Sequence, residues 1–84
     1  MKRYILEIIG TILNICKNGA KKTEIVYKAN LNFKNAEGYL QWLTDRELIT
    51  KEVKLFKTSS KGAKLLSDLQ GVSAIMDLNN NSVA

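Results

Sequence analysis

The chain has 84 residues but only one cysteine and no histidine, and this shortage of crosslinking side chains restricts how it can fold. A single cysteine cannot form an internal disulfide or a paired-cysteine zinc site, and no histidine is present to bind a metal. A chain of this length is a single domain near the lower limit for folding unaided. It must therefore be stabilised by an apolar core, with or without help from a second subunit.

The same shortage removes most catalytic sites. Without histidine there is no Ser–His or Cys–His nucleophile pair, and the sequence contains no glycine-rich loop that would cradle a phosphate. We therefore expect a binding protein that is not an enzyme and that needs no cofactor and no metal. The sequence does not exclude a binding site for a small-molecule effector, because a cleft between two subunits needs no sequence motif.

Apolar residues at three- and four-residue spacing predict three helices, over residues 2–18, 24–30 and 33–46. Gly19 is suited to the left-handed conformation that ends the first helix, and a short extended link, Ala20-Lys21-Lys22, follows it. Thr23 stands at the N-cap position of the second helix and Asn32 at that of the third. The turn between these two helices, Asn30-Leu31-Asn32, is tight.

Two short strands follow the third helix. Apolar and β-branched residues predict them over residues 48–51 and 55–58. The connecting residues, Glu52-Val53-Lys54, include no glycine, asparagine or aspartate, so the type of turn is not predicted.

A fourth helix is predicted over residues 60–77, with Ser59 as its N-cap. The asparagine-rich residues 79–84 are expected to form a disordered tail. The single domain therefore spans residues 1–78.

The order of these elements defines a motif. Two helices separated by a tight turn form a helix-turn-helix, and a hairpin directly after the second helix forms a wing. Over about residues 3–70 the chain resembles the archaeal winged-helix DNA-binding proteins. The resemblance lies in Lys22-Thr23-Glu24-Ile25, Ala29-Asn30-Leu31-Asn32, Tyr39-Leu40-Gln41-Trp42-Leu43, Leu48-Ile49-Thr50, Phe56 and Ser59-Ser60-Lys61-Gly62.

This resemblance implies an α+β fold that is mostly α, with three core helices, a two-stranded wing and a C-terminal helix. It also implies a cytoplasmic, nucleoid-associated protein that binds double-stranded DNA as a transcription regulator or small chromatin protein. The chain departs from the family pattern at two places. Glu47 stands where a glycine commonly precedes the Leu48-Ile49 pair, and the tip of the wing lacks its usual glycine.

The charge of the chain is unevenly distributed. All thirteen basic residues and six of the eight acidic residues lie within residues 1–64, which therefore carry a net charge of +7. The remaining residues carry two aspartates and no base. A basic body favours a polyanionic partner, most often nucleic acid or an anionic membrane, although a merely well-solvated surface would have a similar composition. The apolar segment over residues 4–16 is too short and too polar to span a bilayer, and we expect no membrane partner.

A helix-turn-helix places its second helix in the DNA major groove, which is here the predicted helix over residues 33–46. A step of 100° per residue puts a set of polar residues opposite the apolar stripe of this helix. We predict that Lys34, Asn35, Gly38 and Gln41 read base edges. Gly38 would allow close approach to DNA, although simple tolerance of a surface glycine explains it equally well.

Phosphate contacts are expected from residues around the second helix and from the wing. The predicted set is Lys21, Lys22, Thr23, Lys28, Lys51, Lys54 and Lys57. Thr23 would contribute where backbone N–H groups are free at a helix N-terminus. For any single lysine, a solvated surface position is the alternative.

The apolar residues exceed what one small core needs, which predicts a homodimer. The first helix has a wide apolar arc, and the fourth has a spacing of four, three and four as in a coiled-coil seam. The predicted interface contains Tyr4, Ile8, Ile12, Ile15, Leu65, Leu69, Val72 and Met76. The alternative is that the fourth helix packs only on its own domain.

The cysteine, the aromatic residues and the overall function each have an alternative interpretation. Cys16 is expected to be a buried small apolar residue, with a redox switch as the alternative. Base stacking on Tyr39 and Trp42 is disfavoured, because Tyr39 lies on the core face and Trp42, Phe33 and Phe56 are expected to be packed. A protein-interaction module within a larger assembly is the main alternative function.

Overall fold

The structure is a computed structural model that describes residues 5–83, and the side chains within residues 5–71. In this range four helices and one two-stranded antiparallel sheet follow one another. They are α1 (Ile5–Ile15), α2 (Lys22–Lys28), α3 (Phe33–Asp45), β1 (Ile49–Glu52), β2 (Leu55–Thr58) and α4 (Ser60–Val83). The predicted order of elements is confirmed, including the hairpin that directly follows the second helix of the helix-turn-helix.

The core lies where α1, α2, α3 and the beginning of α4 meet. Its largest fully buried side chains are Ile12, Leu13, Ile25, Leu43, Ile49 and Cys16. The apolar stripe of α3 is buried at Ala36, Leu40 and Leu43, as the helical spacing predicts. Because this stripe is held against the core, the opposite face of α3 is directed outward.

The N-terminal ends of α2 and α3 differ in how they are capped. Asn32 caps α3 as predicted, since its Oδ1 accepts a hydrogen bond of 2.7 Å from the backbone N–H of Asn35. The prediction that Thr23 caps α2 is wrong. The helix begins at Lys22 with Lys21 as its N-cap, and the side chain of Lys21 makes no capping hydrogen bond within the described residues. Thr23 therefore lies inside the first turn.

The two positions that depart from the family's glycines keep the backbone conformation that glycine favours. Glu47 has φ 59° and Val53 has φ 57°, both in the left-handed region. At Glu47 this conformation closes the end of α3, where the N–H of Glu47 donates to the carbonyl of Thr44 and that of Leu48 to the carbonyl of Leu43. The wing therefore forms without its usual glycines.

The wing is a tight hairpin. Glu52 pairs with Leu55, so Val53 and Lys54 alone form the turn. The first strand begins at Ile49 and not at Leu48, while the second has the predicted bounds. Ala20 forms an isolated bridge with Phe56, in which each N–H donates to the other's carbonyl at 2.9 and 2.8 Å. The predicted extended link, Ala20-Lys21-Lys22, thus pairs with β2 through one residue, Ala20.

Ser59 joins the wing to α4. Its Oγ accepts a hydrogen bond of 3.0 Å from the N–H of Gly62, which confirms it as the N-cap of α4. The helix extends to Val83, beyond the predicted end at residue 77. Residues 79–83, for which the sequence predicts a disordered tail, continue this helix, whereas a domain boundary at residue 78 stays a prediction.

Candidate nucleic-acid interface

The outer face of α3 consists of Lys34, Gly38, Gln41 and Asp45, with Asn35 and Glu37 at its edges, and all six residues are exposed. The four predicted base-reading residues thus share one accessible surface. Gln41 Nε2 donates to Asp45 Oδ1 at 2.8 Å, so its amide is held toward the C-terminal end of the helix. A Cβ added at Gly38 would meet no atom of the described residues within 4 Å, so this position has room for a side chain.

Glu37 is the functional candidate that sequence reasoning left out of its site residues. Its Oε1 accepts a hydrogen bond of 2.6 Å from Lys22 Nζ, which also forms an ion pair with it. This hydrogen bond and the lysine charge hold the pKa of Glu37 below its usual range. Because the two residues lie fifteen positions apart, no local pattern predicts their contact.

A second ion pair lies on α2. Lys28 Nζ is 2.7 Å from Glu24 Oε2, and the hydrogen bond and charge of Lys28 lower the pKa of Glu24. This contact could have been predicted, because the two residues stand four apart on one helix. The two paired lysines, Lys22 and Lys28, are thus partly neutralised, whereas Lys21 and Thr23 are exposed beside them.

The wing lysines differ from those on α2. Lys51, Lys54 and Lys57 are all exposed, and within residues 5–71 none of them is in an ion pair. Lys51 Nζ lies 5.6 Å from the centre of the Phe56 ring. The attraction between the ammonium group and the ring favours a conformation in which the lysine side chain lies against the wing. The wing thus carries three lysines outside any ion pair of the described residues and one acid, Glu52, which gives it a net charge of +2.

A groove of about 520 Å³ separates α3 from the wing. It brings together side chains from three elements, namely Lys22 of α2, Glu37, Gln41 and Thr44 of α3, and Lys51, Val53 and Lys54 of the wing. Of the predicted contact residues, Lys22, Gln41, Lys51 and Lys54 therefore converge here. The others, Lys34, Asn35, Gly38, Lys21, Thr23, Lys28 and Lys57, lie outside this groove.

Two aromatic residues expected in the core are exposed. Phe33 is 51% exposed, because it begins α3 at the edge of the protein, and Lys22 Nζ lies 5.8 Å from its ring centre. Trp42 is 39% exposed, and the Arg46 guanidinium lies over its ring, 3.9 Å from the ring centre. Phe56 and Tyr39 pack against the core as predicted.

The predicted dimer interface needs a correction. Ile8 and Ile12 are buried in the core of this chain, so they offer almost no surface to a partner. Ile15, Leu65 and Leu69 are half-buried. Tyr4 and the side chains of Val72 and Met76 lie outside the described residues. The exposed apolar surface of α1 is instead formed by Ile5 and Leu6, which are 64% and 61% exposed.

Cys16 is buried, as its apolar surroundings predict. Burial, and to a lesser degree the negative charge of Glu24, raises the pKa of its thiol to about 12. The thiol therefore stays protonated and unreactive at neutral pH.

The described residues contain no group of three or more histidine, cysteine, aspartate or glutamate side chains placed to hold a metal ion. Among the helices in this part of the chain, none combines the length and the apolar character needed to cross a membrane.

The chain is similar to two proteins of Methanocaldococcus jannaschii. The uncharacterized protein MJ0287 is 38% identical over 77 residues, which cover 90% of this chain and 79% of that protein. The uncharacterized protein MJ0290 is 38% identical over 73 residues, which cover 86% of this chain but only 35% of its own length. The matched segment thus corresponds to about four fifths of the first relative and to about a third of the second.

Two solved structures have a similar fold. Sso10a-2, a DNA-binding protein from Sulfolobus solfataricus, superposes with a TM-score of 0.81 over 95% of this chain and 88% of its own, at 24% identity. The multiple antibiotic-resistance repressor MarR from Listeria monocytogenes superposes with a TM-score of 0.70 over 88% of this chain and 58% of its own, at 18% identity. The sequence profile of the winged helix-turn-helix family matches residues 2–77. With the tight α2–α3 turn and the hairpin that follows α3, this match establishes that the chain belongs to the winged helix-turn-helix family.

Proposed function

We propose that this protein binds double-stranded DNA as a transcription regulator or small chromatin protein. The observation that supports this most directly is the position of the α3 outer face, which is polar, exposed and bordered by the exposed lysines of the wing. A surface of this kind offers hydrogen-bonding groups to base edges and positive charge to phosphates. The description of Sso10a-2 as a DNA-binding protein agrees with this proposal.

In the proposed complex α3 lies in the major groove with its N-terminal half closest to the bases. Lys34 would donate to guanine or to a phosphate, and the amides of Asn35 and Gln41 would pair with adenine. Gln41 would have to exchange its hydrogen bond to Asp45 for one to a base. Its contribution to binding is therefore smaller than that of an unpaired amide.

The phosphate contacts would come from both sides of α3. On the wing side, the DNA backbone would be bound by Lys51, Lys54 and Lys57. On the other side it would be bound by Lys21 and by the backbone N–H groups in the first turn of α2. Lys22 and Lys28 also belong to this set, but each would first have to leave a carboxylate. We propose that the wing provides the larger share.

A second proposal concerns assembly. The exposed apolar side chains of Ile5 and Leu6 on α1 favour contact with another protein, either a second copy or a different partner. A homodimer would place two α3 helices on a two-fold symmetric site. Sedimentation equilibrium of the free protein tests the homodimer, and a monomer at all concentrations would contradict the homodimer and favour a different partner.

The salt dependence of binding to duplex DNA tests the main proposal. Because each phosphate contact releases counterions, log K should fall linearly with log salt, with a slope of roughly −3 to −4 per protomer for three or four free lysines. Fluorescence anisotropy with a short duplex gives this slope, and single-stranded DNA of the same sequence is the control. No duplex binding at low salt, together with retention of a specific protein, would favour the interaction module instead.

A further inference from the structure

The outer face of α3 carries the opposite charge to the surfaces that flank it. Lys34 is its only base, whereas Glu37 and Asp45 are acids, so the six residues carry a net negative charge. A carboxylate near the DNA backbone weakens attraction to every sequence, because the phosphates are negative as well. A protein that needed only general affinity for DNA would gain nothing from an acid at this position.

Glu37 lies at the edge of this surface that borders the groove beside the wing. It lies three residues after Lys34 and four before Gln41, which places the three side chains on successive turns of the helix. Its side chain is 62% exposed and lines the groove between α3 and the wing. Oε1 accepts from Lys22, while Oε2 has no hydrogen-bond partner among the described residues. One carboxylate oxygen is thus fixed and the other is available.

Stability does not account for the pair with Lys22. An exposed ion pair contributes little to the free energy of unfolding, since both charges are well solvated when apart. The pair also removes one lysine from general attraction to phosphate. Its clearest physical effect is to hold the Glu37 carboxylate at a set position beside Gln41.

We propose that Glu37 is a specificity-determining residue that accepts a hydrogen bond from the N4 amino group of cytosine in the major groove. The inference rests on the proposed DNA binding. Guanine and thymine present acceptors at this edge, so both would repel the carboxylate. Adenine has a donor beside the N7 acceptor and suits an amide better than a carboxylate. Cytosine is the base whose exposed edge offers a donor alone.

The substitution Glu37→Gln tests this inference, because it keeps the shape of the side chain and replaces the carboxylate by an amide. Selection from random duplexes should give a C·G preference at one position for the original protein, of roughly 5- to 150-fold. For E37Q this preference should fall to near unity or move to A·T, while the affinity for unrelated duplexes rises. Thermal unfolding should be nearly unchanged.

Glu24→Gln is the matched control. It also removes one exposed, lysine-paired carboxylate and frees one lysine, but on α2 instead of the outer face of α3. E24Q should raise affinity for all duplexes without changing the preferred sequence. An equal gain on all duplexes for E37Q, with an unchanged preference, would overturn the inference, as would an original protein that binds duplexes without any C·G preference. Failure of the original protein to bind any duplex would instead overturn the proposed function itself.

Discussion

The two elements that flank the outer face of α3, namely α2 and the wing, are both rich in lysine but are built differently. Helix α2 is held in the core through Ile25 and Ala29, and its two ion-paired lysines are partly neutralised. The wing buries only the first residue of its first strand, and its three lysines have no carboxylate partner among the described residues. One flank is fixed and two of its lysines are paired with carboxylates, whereas the other is exposed and its lysines are unpaired within the described residues.

This difference separates two tasks that a DNA-binding surface must combine. The α2 side sets the orientation of α3, because Ile25 of α2 is buried in the same core as the apolar stripe of α3. The wing supplies charge, and it is held by the bridge between Ala20 and Phe56 and by side-chain hydrogen bonds at its base. There Thr58 Oγ1 donates to the Leu13 carbonyl at 2.6 Å, and Ser59 Oγ donates to the Glu47 carbonyl at 2.6 Å.

The largest effect is expected at Gly62, where α4 leaves the base of the wing. A Cβ at this position would lie 2.0 Å from the carbonyl oxygen of Leu48 and 2.9 Å from Thr58 Cγ2. The nearer of these two atoms belongs to the backbone and cannot rotate away. Gly62→Ala must therefore shift the wing or the start of α4, and it should lower the free energy of unfolding by about 3 kcal/mol. Chemical denaturation measures this loss.

Gly38→Ala is the control for this substitution, since its Cβ would meet no described atom within 4 Å. In the middle of α3 alanine is also the better helix former, so G38A should be neutral or stabilising by up to about 1 kcal/mol. Equal stabilities for G62A and the original protein would show that the wing base is loosely packed.

The next largest effect concerns the two sets of lysines. The double substitution Lys54→Ala and Lys57→Ala should reduce the slope of log K against log salt by about two and weaken binding to all sequences roughly tenfold or more. Lys22→Ala with Lys28→Ala removes the same charge, but each of these lysines is already paired with a carboxylate. The double substitution at Lys22 and Lys28 should therefore change the slope of log K against log salt less than the double substitution at Lys54 and Lys57. Equal slopes for the two double variants would remove the distinction between the flanks.

A smaller effect is expected for Thr58→Val, which removes the hydrogen bond between the wing and the last turn of α1. Loss of this half-buried hydrogen bond should cost about 1–2 kcal/mol and lower Tm by roughly 4–8 °C for each kcal/mol. Thr50→Val is the matched control, because Thr50 Oγ1 makes only an exposed contact of 3.3 Å to the Lys57 carbonyl. If both variants melt alike, the wing is not held through Thr58.

Much of this architecture follows from local sequence. Helical spacing on α3 predicts which side is buried, and Asn32 and Ser59 cap their helices as expected, because such signals act within one turn. The contact between Lys22 and Glu37 is not predictable in this way, since the fold alone brings α2 and α3 together. The exposure of Phe33 cannot be predicted from the sequence for the same reason. The apolar character of a residue does not show which neighbours will cover its side chain.

The turns show a further limit of local signals. Asn30, with φ 56°, is a residue that tolerates the left-handed conformation, and the tight turn after α2 is predictable from it. Glu47 and Val53 adopt nearly the same φ without being suited to it. At these two positions the surrounding hydrogen bonds and strand pairing impose the conformation, so the residue types themselves do not predict it and only the glycines of the family pattern point to it.

The smallest expected effect tests this strain at the tip of the wing. A β-branched residue at positive φ is unfavourable, and Val53 is 91% exposed, so its side chain contributes little packing in return. Val53→Gly should relieve the strain and, after the entropic cost of glycine, stabilise the protein by about 0.5–1 kcal/mol. Val53→Ala keeps a Cβ at the same φ and should gain less. Thermal melts of the two variants rank them, and a lower Tm for V53G would show that the Val53 side chain makes a contact that supports the wing.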